Sequence, residues 1–191
     1  MRGAPIIRIW AALSPFLTWA QQASTQSAPR FEDYPVTETF TGTPAAPILA
    51  RSEQRMFRTR IRNGALKGEG VVADSESKRL LTKPGTNFAG KYVVIMWGCG
   101  SQCVMMAVVD AATGKIYDPP LSGAGTELYV PLDNLSKMET EYRIDSSLMV
   151  LRNACRDFKD RNTCGTYYFN WKDNRFVLVR FVMVNPLREL H

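Results

Sequence analysis

The chain has 191 residues, 45% of them hydrophobic and 22% charged, close to the averages for soluble globular proteins and long enough for one domain of roughly 150 residues plus a tail. The formal net charge of +6 is too small and too dispersed to argue for nucleic acid. The one histidine, His191, is the last residue, so serine–histidine triads and histidine metal sites are excluded from the body of the chain.

The N-terminus reads as an export signal. Arg2 and Arg8 supply a positive start, and Ile9 to Ala20 is an apolar run of about a dozen residues, the length of a signal-peptide core and too short to span a bilayer. Small residues at Ala20 and Ala23 offer cleavage positions, so residues 1–23 are expected to be removed. The competing reading is an N-terminal amphipathic or membrane helix. No later segment is long and apolar enough to span, so the expectation is a periplasmic or secreted protein with no membrane span after cleavage. Removing Arg2 and Arg8 lowers the charge from +6 to +4, which suits anionic surfaces or an acidic partner.

Residues 24–47 are rich in Ser, Thr, Pro and Ala and predict an irregular arm, with a short strand over Tyr34–Phe40 docking on the body. The main domain is expected over 48–186. Ser52 is an N-cap for a helix in which Phe57, Ile61 and Ala65 share one face, with Gly64 as its end. Arg51, Arg55, Arg58, Arg60 and Arg62 fill the other faces, either as a solvated surface or as an anion-binding one. The following GALKGEG has neither the strand nor the spacing of a phosphate loop and reads as a surface excursion.

Asn87 to Asp118 holds the longest apolar run. Tyr92, Val94 and Met96 point one way in a strand and Val93, Ile95 and Trp97 the other, so this strand is expected to be covered on both faces. Val104–Val109 repeats the pattern. Gly-Cys-Gly-Ser-Gln-Cys103 makes the corner between them, and Asp110 to Gly114 is a hairpin loop leading into Lys115–Asp118. Further strands are expected at Glu127–Pro131, Tyr142–Ile144, Leu148–Leu151, Gly165–Trp171 and Arg175–Val184, with a helical turn over 132–138 and a loop over Asn153–Thr163. Pro186 ends the structure, leaving 187–191 as a tail. The fold class that follows is mainly β (β-rich α+β): a single curled antiparallel sheet of about seven strands with one packed N-terminal helix. The alternative is a two-sheet β-sandwich.

Four cysteines in an exported chain point to disulfides. Sequence proximity favours Cys99–Cys103 and Cys155–Cys164. Their spacings, three and eight intervening residues, match no zinc knuckle, so no metal or other cofactor is expected.

The motifs Phe57-Arg-Thr-Arg60, Asn87-Phe-Ala-Gly-Lys-Tyr92, Trp97-Gly-Cys-Gly-Ser-Gln-Cys103, Asp110, Thr113-Gly-Lys115 and Gly165-Thr-Tyr-Tyr-Phe-Asn-Trp171 resemble a family of small, functionally uncharacterised exported proteins of Gram-negative bacteria. The resemblance implies export and a compact domain, and carries no activity with it.

A cysteine nucleophile lacks its histidine base, so CGSQC reads as structural. Asp110, Asp118, Glu127 and Asp145 lie at strand ends and leave open a carboxylate-dependent hydrolase of envelope glycans, yet Asp110 and Asp145 are explained as turn residues. The preferred function is a binding or interaction protein, for example an inhibitor of another envelope or secreted protein. It would present pinned loops, with Trp97, Ser101, Gln102 and Asp110 as candidate binding residues and no catalytic residue assigned.

Overall fold

A computed structural model of the chain describes residues 27–68, 85–100, 103–121, 127–129, 139–157 and 160–183, apart from the side chains of 99, 100, 103, 127–129 and 161. The expected export signal, the tip residues Ser101 and Gln102, and the helical turn expected over 132–138 lie outside the described residues, as do the side chains of Cys99 and Cys103.

The described chain is mainly β. Two short helices, α1 (Ser52–Met56) and α2 (Arg58–Lys67), precede eight strands: β1 (Tyr92–Gly100), β2 (Cys103–Asp110), β3 (Ile116–Tyr117), β4 (Glu127–Tyr129), β5 (Glu139–Tyr142), β6 (Leu148–Cys155), β7 (Cys164–Lys172) and β8 (Arg175–Met183). Every pairing among them is antiparallel. In place of the expected single sheet of about seven strands, eight described strands pair in the order β1-β2-β4-β6-β7-β8, with β3 on β2 and β5 on β6, and they form two groups, β1 to β3 and β5 to β8. Strand β4 joins them. Among the described residues it pairs with β2 at Cys103↔Tyr129, Val104↔Leu128 and Met105↔Glu127, and with β6 at Tyr129↔Cys155. The two groups pack over a shared core.

That core explains the doubly apolar pattern of β1 and β2. On one face Tyr92, Val94, Met96, Met106 and Val108 meet Met149, Leu151, Tyr167, Phe169 and Trp171 of the second group around Phe88. On the other, Val93, Ile95, Trp97, Met105, Ala107 and Val109 meet Ile61 and Ala65 of α2. Both faces are covered, as the alternation predicts. Fully burying each Val, Ile or Met side chain contributes about 1.5–3 kcal/mol, so these two strands anchor the fold. A third, smaller cluster forms where Phe31 and Tyr34 of the arm cover Leu148, Val150 and Tyr168 on the outer face of the second group.

The helix differs from expectation at both ends. Arg51 is the N-cap, with Gln54 Oε1 accepting its N–H at 3.1 Å, and the helix turns slightly at Phe57. It continues past Gly64 to Lys67 and stops at Gly68, whose φ of 70° is the left-handed value a side chain disfavours. Gly64 serves a different purpose. A Cβ there would lie 2.5 Å from Ile95 Cγ2, so the bare backbone is what lets α2 sit on β1.

The arm is extended rather than a strand. It touches the body through a lone Pro35↔Ser146 bridge, Val36 N–H to Asp145 O at 2.8 Å and Phe40 N–H to Gly90 O at 2.8 Å. The Asn87–Tyr92 motif is the junction it docks on. Asn87 Oδ1 accepts the Val94 N–H at 2.8 Å and its Nδ2 donates to Val94 O at 3.2 Å, so the side-chain amide acts as a strand partner for β1. Ala89 and Gly90 turn at positive φ, and their N–H groups donate to Arg143 O and Ile144 O.

Candidate interaction surface

Of the four residues expected to bind a partner, the two that the structure describes, Trp97 and Asp110, are both buried. Trp97 is 1% exposed and packs against Phe57, the two rings tilted with centroids 5.5 Å apart, and its Nε1 has no hydrogen-bond partner among the described residues. Asp110 is 2% exposed and its carboxylate is fully used. Oδ1 accepts the N–H groups of Ala112 (2.8 Å) and Thr113 (3.2 Å), and Oδ2 pairs with Lys91 Nζ at 3.0 Å. The hydrogen bond that Lys91 donates to the Asp110 carboxylate raises the pKa of Lys91 above its ordinary value. Asp110 therefore closes the β2–β3 turn, completed by Gly114 N–H donating to Asp110 O. Ser101 and Gln102 lie outside the described residues.

Of the acids weighed for hydrolysis Asp110 and Asp118 are committed, and the side chain of Glu127 lies outside the described residues. Asp118 is ion-paired with Arg51 and Asp110 with Lys91, while Asp145 stands exposed at the β5–β6 turn. Among the described residues no cluster of His, Cys, Asp or Glu is arranged to hold a metal ion. Cys155 and Cys164 are joined, and they face each other in the β6–β7 register. Part of the loop expected over Asn153–Thr163 is strand, since β6 runs on to Cys155. The rest is fastened by Thr163, whose hydroxyl donates to Asp157 O and Asp160 O and accepts the Asp157 N–H.

The feature that stands out on the surface is β8. Its sequence, RFVLVRFVM, is as apolar as that of the buried strands, and such a run predicts burial. Yet β8 ends the pairing order and has β7 as its only partner among the described residues. Phe176 and Phe181 turn inward, against Trp171 at 4.7 Å and Tyr167 at 4.5 Å. Val177, Leu178, Val179, Val182 and Met183 remain 41–52% exposed. The β7–β8 register slips between Tyr168↔Arg180 and Phe169↔Leu178, which leaves Val179 as a bulged residue. The hairpin closes through Asp173 and Asn174, both at positive φ, and Asn174 Oδ1 accepts the Tyr92 hydroxyl at 2.8 Å, tying the tip to β1. The strand is thus held by β7 on one side and, among the described residues, has no strand partner on the other. Sequence reasoning found the hairpin and missed the exposure. The signal available was Arg180 inside the apolar run, with Arg175 at its start: a strand buried on both faces has no room for such charges.

No helix among the described residues is long and apolar enough to cross a membrane. Compared with protein-family models, curated proteins and solved structures, the chain has no match.

Proposed function

We propose that the chain is an exported interaction protein that captures an extended segment of another polypeptide along the open edge of β8. The observation that carries this reading is the exposure of five large apolar side chains on one well-anchored edge strand. Edge strands with open backbone groups and apolar side chains bind peptides by strand addition: the main chain supplies affinity and alternate side chains supply specificity. The fixed edge lowers the ordering cost on this side of the interface.

Charge argues for a heterologous partner. β8 carries Arg175 and Arg180 and no acid. Antiparallel pairing of two β8 strands about Val179 makes the two Arg180 residues diagonal neighbours, and like charges across a sheet destabilise it. An acidic, partly apolar strand removes that penalty and suits a net positive chain. The expected export signal and the resemblance to small exported proteins of Gram-negative bacteria support a periplasmic or secreted site of action. No observation favours the glycan hydrolase.

The test is capture by the immobilised chain from an envelope extract, comparing wild type with Val177→Lys/Val182→Lys. Both positions are exposed, so the variant should fold and lose the captured polypeptide. Capture that is unchanged in the variant, or that recovers only further copies of this chain, rejects the reading.

A further inference from the structure

A second surface, remote in sequence from β8 and independent of it, has a different chemistry. Helix α2 (RTRIRNGALK) has four cations and no acid. Its buried residues, Ile61, Gly64 and Ala65, define the face on β1. On the remaining surface Arg58 and Arg62 stand one turn apart, and Arg60 and Lys67 lie two turns apart on the opposite flank. Thr59, Asn63 and Leu66 run between these two rows. All four cations are exposed, and none has an ion-pair partner among the described residues. Arg55 adds a fifth charge, since its guanidinium donates only to the neutral carbonyls of Leu49 (3.3 Å) and Ala50 (2.7 Å). Two apolar side chains sit among them, Met56 at 74% and Leu66 at 38% exposed.

We infer that this face docks on a phosphate-bearing lipid surface. A folded body would gain little from holding this many unpaired cations within one helix of about 15 Å, because like charges so close repel. A plane of anionic headgroups meets both rows at once, and apolar tips such as Met56 and Leu66 enter the headgroup boundary. A compact anion would meet only one row. The docking is peripheral, with the helix lying in the plane of the surface, and it leaves β8 available for its own partner.

The experiment is co-sedimentation of the folded chain with vesicles of phosphatidylcholine alone and of phosphatidylcholine mixed with phosphatidylglycerol, at low and high salt. Binding is expected to the mixed vesicles only, and to fall as salt rises. Each cation near an anionic surface is worth a factor of about 5 in affinity, so Arg58→Ser/Arg62→Ser and Arg60→Ser/Lys67→Ser should each bind roughly 25-fold more weakly. Thermal unfolding of both variants should match wild type, which separates lost docking from lost folding. Equal binding to phosphatidylcholine alone, no binding to the mixed vesicles, or binding unchanged by both double substitutions overturns the inference. Inorganic phosphate or soluble polyphosphate that displaces the chain at concentrations comparable to the lipid phosphate also overturns it, by placing the affinity in solution phosphate rather than in a surface. Val177→Lys/Val182→Lys should sediment like wild type, so failure of one surface does not imply failure of the other.

Discussion

Gly64→Ala should destabilise the protein although it replaces glycine by the best helix former. The added Cβ would lie 2.5, 2.9 and 3.1 Å from Cγ2, Cγ1 and Cδ1 of Ile95. Ile95 is 1% exposed and β-branched, so its rotamer has nowhere to go and α2 must lift from β1. Overpacking of this kind costs about 1–3 kcal/mol, and contact with a branched, buried side chain puts it near the upper end. Helix propensity returns about 1 kcal/mol. The net is a loss of about 2 kcal/mol, or a melting temperature lower by roughly 4–8 °C for a chain of this size. Urea denaturation with tryptophan fluorescence measures it, since Trp97 sits in the same cluster. Gly98→Ala is the control: a Cβ there meets nothing within 4 Å, so it should leave stability unchanged or raise it by about 0.5–1 kcal/mol. In a double-mutant cycle Ile95→Ala should relieve part of the Gly64→Ala cost. A Gly64→Ala protein as stable as wild type, or more so, would refute the close helix–strand contact on which this core is built.

Three further outcomes are expected. Cys155→Ser/Cys164→Ser should cost about 2.5 kcal/mol by the loop-entropy argument for the sequence separation of 9, read by chemical denaturation; peptide mapping without reduction should return the Cys155–Cys164 link. Asp110→Asn keeps the turn geometry and loses the charge facing Lys91, so it should destabilise by about 1–2 kcal/mol, whereas Asp110→Ala, which also orphans two turn N–H groups, should cost about 3 kcal/mol or more. Stability should also fall under alkaline conditions. Burial raises the Tyr142 pKa from 10.0 to about 12, and the Asp110 hydrogen bond raises that of Lys91 above 10.5. Folded-state values above the unfolded ones mean that both contributions are present below pH 10 and are lost as pH climbs through the folded values. Tyr142→Phe should therefore flatten the decline between pH 10 and 12 in a pH series of melting curves, and an unchanged decline contradicts the assignment.

What the sequence revealed was mostly local. The Asp110–Gly114 turn is readable because Asp110 bonds its own downstream backbone and Gly114 takes φ 74°, both within five residues. The alternation of β1 and β2 correctly foretells cover on both faces. The same alternation already places Trp97 in that cover, which conflicts with reading it as a binding residue. Long-range arrangement was harder. The division into two strand groups is a matter of long-range pairing across β4, and nothing in Glu127–Tyr129 announces it. Strand β5 falls on polar Glu139–Tyr142 rather than on Tyr142–Ile144 because it is held by pairing with β6 and by Arg152, which bonds Glu141 and lies 3.9 Å from Glu139. Gly64 looks like a helix end until its neighbour Ile95 is known. The β8 run is compositionally close to a buried strand; Arg175 and Arg180 are the local hint of its exposure, and the sheet order does the rest.

The central claim is that β8 is a docking edge for another polypeptide. The most direct measurement is photocrosslinking inside cells with benzoylphenylalanine placed singly at Val177, Val182 and, as the control, Met56. Met56 is the more exposed at 74% and lies on α1, outside β8. The account predicts an adduct with a second, different polypeptide from Val177 and Val182, absent from Met56 and abolished when Leu178→Lys is added. No polypeptide adduct from either β8 position, or adducts made only between copies of this chain, would contradict it.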